Sequence, residues 1–102
     1  MKIAVTYQDG DIFQHFGHTE FFKIYDIENT DIVKTEIVST NGSGHGALAQ
    51  FLHEHSVDTL ICGGIGGGAQ MALSQAGIKL YGGVTGKADD AVNDLLNNKL
   101  DY

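Results

Sequence analysis

The chain has 102 residues, of which 42% are hydrophobic and 19% charged, with a net charge of −7 and a pI near 4.9. A chain of this size buries roughly two-thirds of its unfolded surface, so it folds without staples, and its composition excludes disorder. Its six lysines are scattered rather than gathered on a basic face, which excludes electrostatic nucleic-acid binding, and its single cysteine excludes an internal disulfide.

The N-terminal run Met1-Lys2-Ile3-Ala4-Val5-Thr6-Tyr7 is β-prone and turns polar at Gln8-Asp9. It is too short for a signal peptide, and no stretch approaches membrane-spanning length, so the expected setting is the cytoplasm, with neither membrane nor nucleic acid as partner. Gln8 to Asp11 reads as a turn. Phe21 to Ile27 is a second strand, Glu28-Asn29-Thr30-Asp31 carries turn chemistry, and Ile32 to Val38 completes a hairpin.

The pattern then changes period. Asn41-Gly42-Ser43-Gly44 is a loop with Ser43 as the expected N-cap, and Ala47, Leu48, Phe51 and Leu52 recur at helical spacing up to about His55. Asp58 to Cys62 is a buried-type strand ending in Gly63-Gly64. A helix with Ala69, Ala72, Leu73 and Ala76 on one face follows, and Gly77 is its expected stop. Ile78 to Tyr81 is another strand. Thr85 is the expected cap of a last helix with Asp89 and Asp90 at its positive end and Ala88, Val92, Leu95 and Leu96 inward. The order β-β-β-α-β-α-β-α predicts an α/β fold. Its mixed five-stranded sheet has an N-terminal antiparallel hairpin followed by parallel β-α units, and helices flank it. No repeat or linker divides the chain, so residues 1–102 read as one domain.

Three loops carry the residues capable of chemistry. His15-Phe16-Gly17-His18 places two metal-capable imidazoles three residues apart around a glycine. His45 lies in Gly42-Ser43-Gly44-His45-Gly46, where a Gly-rich loop opens a helix. It reads either as a ligand beside an anion-binding terminus or as a solvated first-turn residue. Cys62 to Ala69 joins a strand end to a helix start, the edge at which open α/β sheets bind ligands. Gly64-x-Gly66-x-x-Ala69 matches a loose dinucleotide fingerprint. The strand is not the first of the fold, however, and no acid follows the next strand to hold a ribose, so a nucleotide cofactor is discounted.

Cys62 reads as a soft ligand or nucleophile, or as a small packed hydrophobe. His53 and His55 complement the end of their helix. Asp9 and Asp11 lack the third acid of a nuclease, and nothing in the sequence pairs Cys62 with His45 or His15 as a hydrolase requires.

Taken in order, these segments resemble the dinitrogenase iron–molybdenum cofactor-binding family of nitrogenase accessory proteins. The pieces are Met1-Lys2-Ile3-Ala4-Val5, His15-Phe16-Gly17, Phe21-Phe22-Lys23-Ile24-Tyr25-Asp26, Gly44-His45-Gly46, Cys62-Gly63-Gly64-Ile65-Gly66 with Ala69, and Ala76 to Tyr81. They span essentially the whole chain. The resemblance implies a ribonuclease-H-like motif and a non-enzymatic carrier of an iron–sulfur or iron–molybdenum–sulfur cluster in assembly or storage. His15 and His45 would be the leading ligands, with His18 and Cys62 as further ones, and the backbone at Gly17, Gly44, Gly46, Gly64 and Gly66 would bind the cofactor.

Such clusters are anionic, which suits imidazoles beside a Gly-rich helix terminus. Ordinary iron–sulfur clusters take about four protein ligands, usually thiolates, and one cysteine cannot supply them. A transient carrier or a site shared between subunits is therefore expected, with a cluster donor or acceptor protein as partner and a monomer or weak homo-oligomer as the state. The chain lacks the three-Cys motif of the radical biosynthetic enzyme. The alternative reading is a module that binds a small anionic metabolite through its Gly-rich loops without metal.

Overall fold

The computed structural model describes residues 1–42 and 45–102, at positions 45 and 46 the backbone only. Strand β1 (Lys2–Gln8) is the centre of the sheet. It pairs antiparallel with β3 (Phe21–Glu28) on one side and parallel with β5 (Thr59–Ile61) on the other. Outward from β3 lies β4 (Asp31–Ser39), joined to it in the expected hairpin through Asn29 at φ 59°, and outward from β5 lies β6 (Lys79–Tyr81). The order β4-β3-β1-β5-β6 is the mixed five-stranded α/β sheet predicted from the sequence.

A sixth strand stands where the sequence predicted only a turn. Asp9 and Gly10, with φ of 50° and 92°, form a tight reversal, and β2 (Asp11–Ile12) folds back onto the end of β1. Both central residues have positive φ, the condition of the hairpin turn whose twist matches its strands.

Ile3, Ala4, Val5 and Thr6 are all buried, because β1 is covered on both faces. Side-chain alternation divides the core in two. Ala4, Phe22, Ile24 and Leu60 face α1 (His45–Glu54) and α2 (Gly67–Gln75), meeting Leu48, Leu52 and Leu73. Ile3, Val5, Tyr25 and Ile61 face α3 (Ala88–Leu96), meeting Ala88, Ala91 and Val92.

Helix α2 ends as the sequence predicts: Gly77 takes φ 76°, and the Ile78 N–H donates to the Leu73 carbonyl at 2.9 Å. Helix α3 does not start at Thr85. Lys87 occupies the N-cap position without a side-chain cap, and the Ala88 N–H donates to Gly10 O at 3.0 Å. The Lys87–Asp11 ion pair at 2.9 Å ties the same start to β2, so a tertiary contact replaces the local cap. The predicted cap Ser43 lies outside the described residues.

Candidate functional site

The chain from Phe13 to His18 is pinned to the carboxyl ends of β1 and β5. The Phe13 N–H donates to Thr6 O at 2.9 Å, and the Thr6 hydroxyl returns to Phe13 O at 2.7 Å. The Gly64 N–H then donates to Gln14 O at 2.6 Å, and the Phe16 N–H donates to Gly64 O at 3.0 Å, so His15 and Gly64 pair as a parallel bridge. Phe16 to His18 is a single 3-10 turn. Phe16 is buried against Phe22, with ring centroids 6.2 Å apart, while His15 and His18 flank it on the exposed side. An apolar ring between two imidazoles thus anchors the turn and turns the histidines outward.

Opposite this turn, β5 runs into Gly63-Gly64 and the start of α2. The two walls enclose an open cleft of about 640 Å³. One wall is His15, Phe16, Gly17 and His18; the other is Gly64, Ile65, Gly66, Gly68, Ala69 and Ala72. The start of α2 has no side-chain cap and no acidic residue in its first turn, so its partial positive charge is left uncompensated by the helix's own side chains.

The glycines divide by what surrounds them. At Gly63 a Cβ would meet Gln14 Cα at 2.7 Å, so the close approach of two backbones requires glycine. At Gly66, Gly67 and Gly68 a Cβ would meet nothing within 4 Å, and Gly66 has an ordinary φ of −79°. Among the described residues no internal contact requires those three to be bare.

Of the predicted site residues, His15, His18, Gly17, Gly64 and Gly66 line this one cleft. Gly44 and the side chain of His45 lie outside the described residues; the backbone of His45 and Gly46 forms the first turn of α1, a helix that contacts the 3-10 turn. Cys62 is not brought to the cleft. Its side chain is buried in the core between β5 and the α1–α2 layer, and burial pushes its thiol up to about 12. Among the described residues no three His, Cys, Asp or Glu side chains converge as a metal cage. His55 stacks on Phe51 at 4.3 Å with Nδ1 2.8 Å from the Phe51 carbonyl, a helix-end packing position.

Ile65, Gly68 and Ala69 fall in the segment 62–69 that the sequence marks as a ligand-binding edge, but residue type does not single them out as site residues. Ala72 reads in the sequence only as the packed face of a helix, and small side chains carry the same signature whether they pack closely or keep a hollow open.

A mixed α/β sheet with an open cleft at the carboxyl end of a parallel strand defines a ligand-binding α/β domain. The chain belongs to the dinitrogenase iron-molybdenum cofactor family, whose model matches residues 1–98. It is 31% identical over 106 residues to the uncharacterized protein MJ0580 of Methanocaldococcus jannaschii, covering 99% of this chain and 90% of that one. The crystal structure of PH0822 superposes with a TM-score of 0.95 at 28% identity, covering 100% and 94% of the two chains. The apo form of the orange protein from Desulfovibrio gigas superposes with a TM-score of 0.85 at 27% identity, covering 99% and 91%. Membership points to a cofactor-related role.

Proposed function

We propose that this chain is a non-enzymatic carrier for an iron–sulfur-type cluster of the iron–molybdenum-cofactor kind, received from a donor protein and surrendered to an acceptor. The observation that carries the reading is the cleft: His15 and His18 on one wall face an uncapped helix N-terminus on the other, where the Cβ positions of Gly66, Gly67 and Gly68 are empty. Imidazole nitrogens ligate iron, and bare backbone N–H groups at a helix start favour an anionic guest. The cluster is cargo in this reading and brings its own sulfur. A site with few protein ligands suits cargo that must leave again. His45, at the first turn of α1, is proposed as a further ligand. Cys62 has no part in this reading, because its thiol is buried in the core and does not line the cleft. A lone buried cysteine, and the lack of any helix among the described residues long and apolar enough to cross a membrane, accord with a cytoplasmic setting.

The test is anaerobic reconstitution with iron and sulfide, read by charge-transfer absorption and metal content. Wild type is expected to turn brown, and a His15→Ala, His45→Ala double variant to lose most of the bound iron. Equal iron in the two proteins would remove the histidines from the ligand set. Thermal stabilisation by phosphorylated metabolites, with none from iron and sulfide, would instead favour a metal-free anion module.

A further inference from the structure

Strand β4 is the end of the sheet on its side, and among the described residues nothing pairs with its outer edge. Seven of its nine residues are exposed, and only Ile32 and Val38 are half-buried. An edge of this kind presents unpaired N–H and C=O groups to any strand that fits. Proline is absent, and Val33 and Ile37 are each 54% exposed. The one irregularity is a bulge: Asp26 pairs with Lys34 and Ile27 with Ile32, which leaves Val33 as the extra residue.

The order of side chains decides what the edge accepts. Residues directly opposite one another in an antiparallel pair lie on the same face and interact. When β4 is laid antiparallel on a second copy with the two-fold axis at Thr35, Lys34 falls opposite the partner subunit's Glu36, and Glu36 opposite the partner subunit's Lys34. Val33 falls opposite the partner subunit's Ile37; Ile32, beyond the bulge, lies on the other face from Val38 and takes no part. Charge meets opposite charge and apolar meets apolar along Val33 to Ile37. Moving the axis by one residue destroys this: it sets Lys34 against its own copy or Glu36 against its own copy.

We infer that β4 is a self-recognition edge through which two copies of this chain join antiparallel about Thr35, continuing the sheet from one to the other. The contact is isologous, so one strand supplies both halves of the interface. None of the residues lining the cleft belongs to β4, so both clefts stay open in the dimer. Each copy carries a net charge of −7, and the local complementarity has to offset that repulsion, which makes the dimer weak and reversible.

Sedimentation of the full chain at physiological ionic strength tests this, over a concentration range from about 1 μM to about 1 mM. Wild type is expected to shift from monomer to dimer with concentration. Lys34→Glu and Glu36→Lys each turn both ion pairs into like-charge pairs and should weaken the dimer roughly ten-fold or more. The Lys34→Glu, Glu36→Lys double variant restores opposite charges across the axis and should return to wild-type behaviour. Glu36→Lys makes each copy less negative, so it would strengthen association governed by net charge, whereas it weakens the pairing inferred here. A wild type that stays monomeric throughout, or a double variant as weak as the single ones, would overturn the inference. Both positions changed, Lys34 and Glu36, are exposed in the monomer, and melting temperatures confirm that the variants stay folded.

Discussion

Gly63 lies so close to Gln14 that a Cβ at position 63 would stand 2.7 Å from Gln14 Cα and 2.6 Å from its Oε1. Gln14 cannot swing aside, since its Nε2 donates to Ile12 O at 3.0 Å and Val84 O at 3.1 Å. This clamp sets the histidine turn on the end of β5. Gly63→Ala is therefore expected to cost about 1–3 kcal/mol in urea denaturation, the range for overpacking a closed contact. At Gly64 the corresponding Cβ meets Gln14 O at 3.0 Å, and Gly64→Ala should cost less. Equal unfolding midpoints for Gly63→Ala and wild type would mean that the loop is not held this way.

Cys62 supplies a pH-dependent prediction. Burial raises its thiol from an ordinary 9.0 to about 12, so the folded state holds the proton more tightly than the unfolded one. The resulting stability is complete below pH 9 and is lost as pH rises toward 12, with about 1.4 kcal/mol gone by pH 10. Cys62→Ala should flatten this alkaline fall. Tyr25, whose hydroxyl is also raised by burial and by its bond to Asp89, keeps part of the slope in the variant. Alkylation of native Cys62 should track global unfolding, and a rate typical of a free thiol at pH 8 would contradict its buried placement.

On the opposite face of the sheet, Tyr25 and Lys23 of β3 both donate to Oδ1 of Asp89 in the first turn of α3, at 2.6 and 2.8 Å. The Lys23 ammonium first, and the Tyr25 hydroxyl second, hold the Asp89 carboxyl below its ordinary range. A lowered carboxyl stabilises at neutral pH and loses that contribution as pH falls through its depressed value. The Asp89 side chain is 64% exposed, so its ion pair counts for little. The main cost of Asp89→Ala is the acceptor removed from the hydroxyl of the buried Tyr25, about 1 kcal/mol at pH 7. Chemical denaturation of both proteins at pH 7 and in acid should show a gap that narrows on acidification; a gap that widens would reverse the sign argued here.

Five of the six strands and the three helices were legible in the sequence. β1, β3, β4 and the helices carry the length and spacing to be read alone, and the three-residue β5 and β6 stand out as short apolar runs that stop at Gly63-Gly64 and Gly82-Gly83. β2 has two residues and no period, so the turn at Asp9-Gly10 was visible while the strand beyond it was not. The start of α3 was misread because Thr85 is a good local cap, whereas Gly10 O and Asp11, remote in the chain, fix Ala88 and Lys87 in place. At the site, His15 and His18 stood out by residue type. Gly63 did not, since its partner Gln14 is an ordinary polar residue on another loop. Cys62 had two readings in the sequence, and what separates them is how deep the end of β5 lies, which only packing determines.

Gly68 separates the demands of the fold from those of the cleft. It lines the hollow in the first turn of α2, and a Cβ there would meet no atom of the described residues within 4 Å. By backbone entropy and helix propensity, Gly68→Ala should raise stability by about 0.4–1 kcal/mol. By occupancy it should lower the iron retained after anaerobic reconstitution, because the new methyl occupies space that the guest needs beside the helix N–H groups. The two effects have opposite signs, so a general loss of structure cannot imitate the result. Melting temperature and metal content measured on one preparation decide the matter. A variant that is more stable and binds as well as wild type would show that the guest does not approach α2. A variant that is less stable would show that glycine at 68 serves the fold after all.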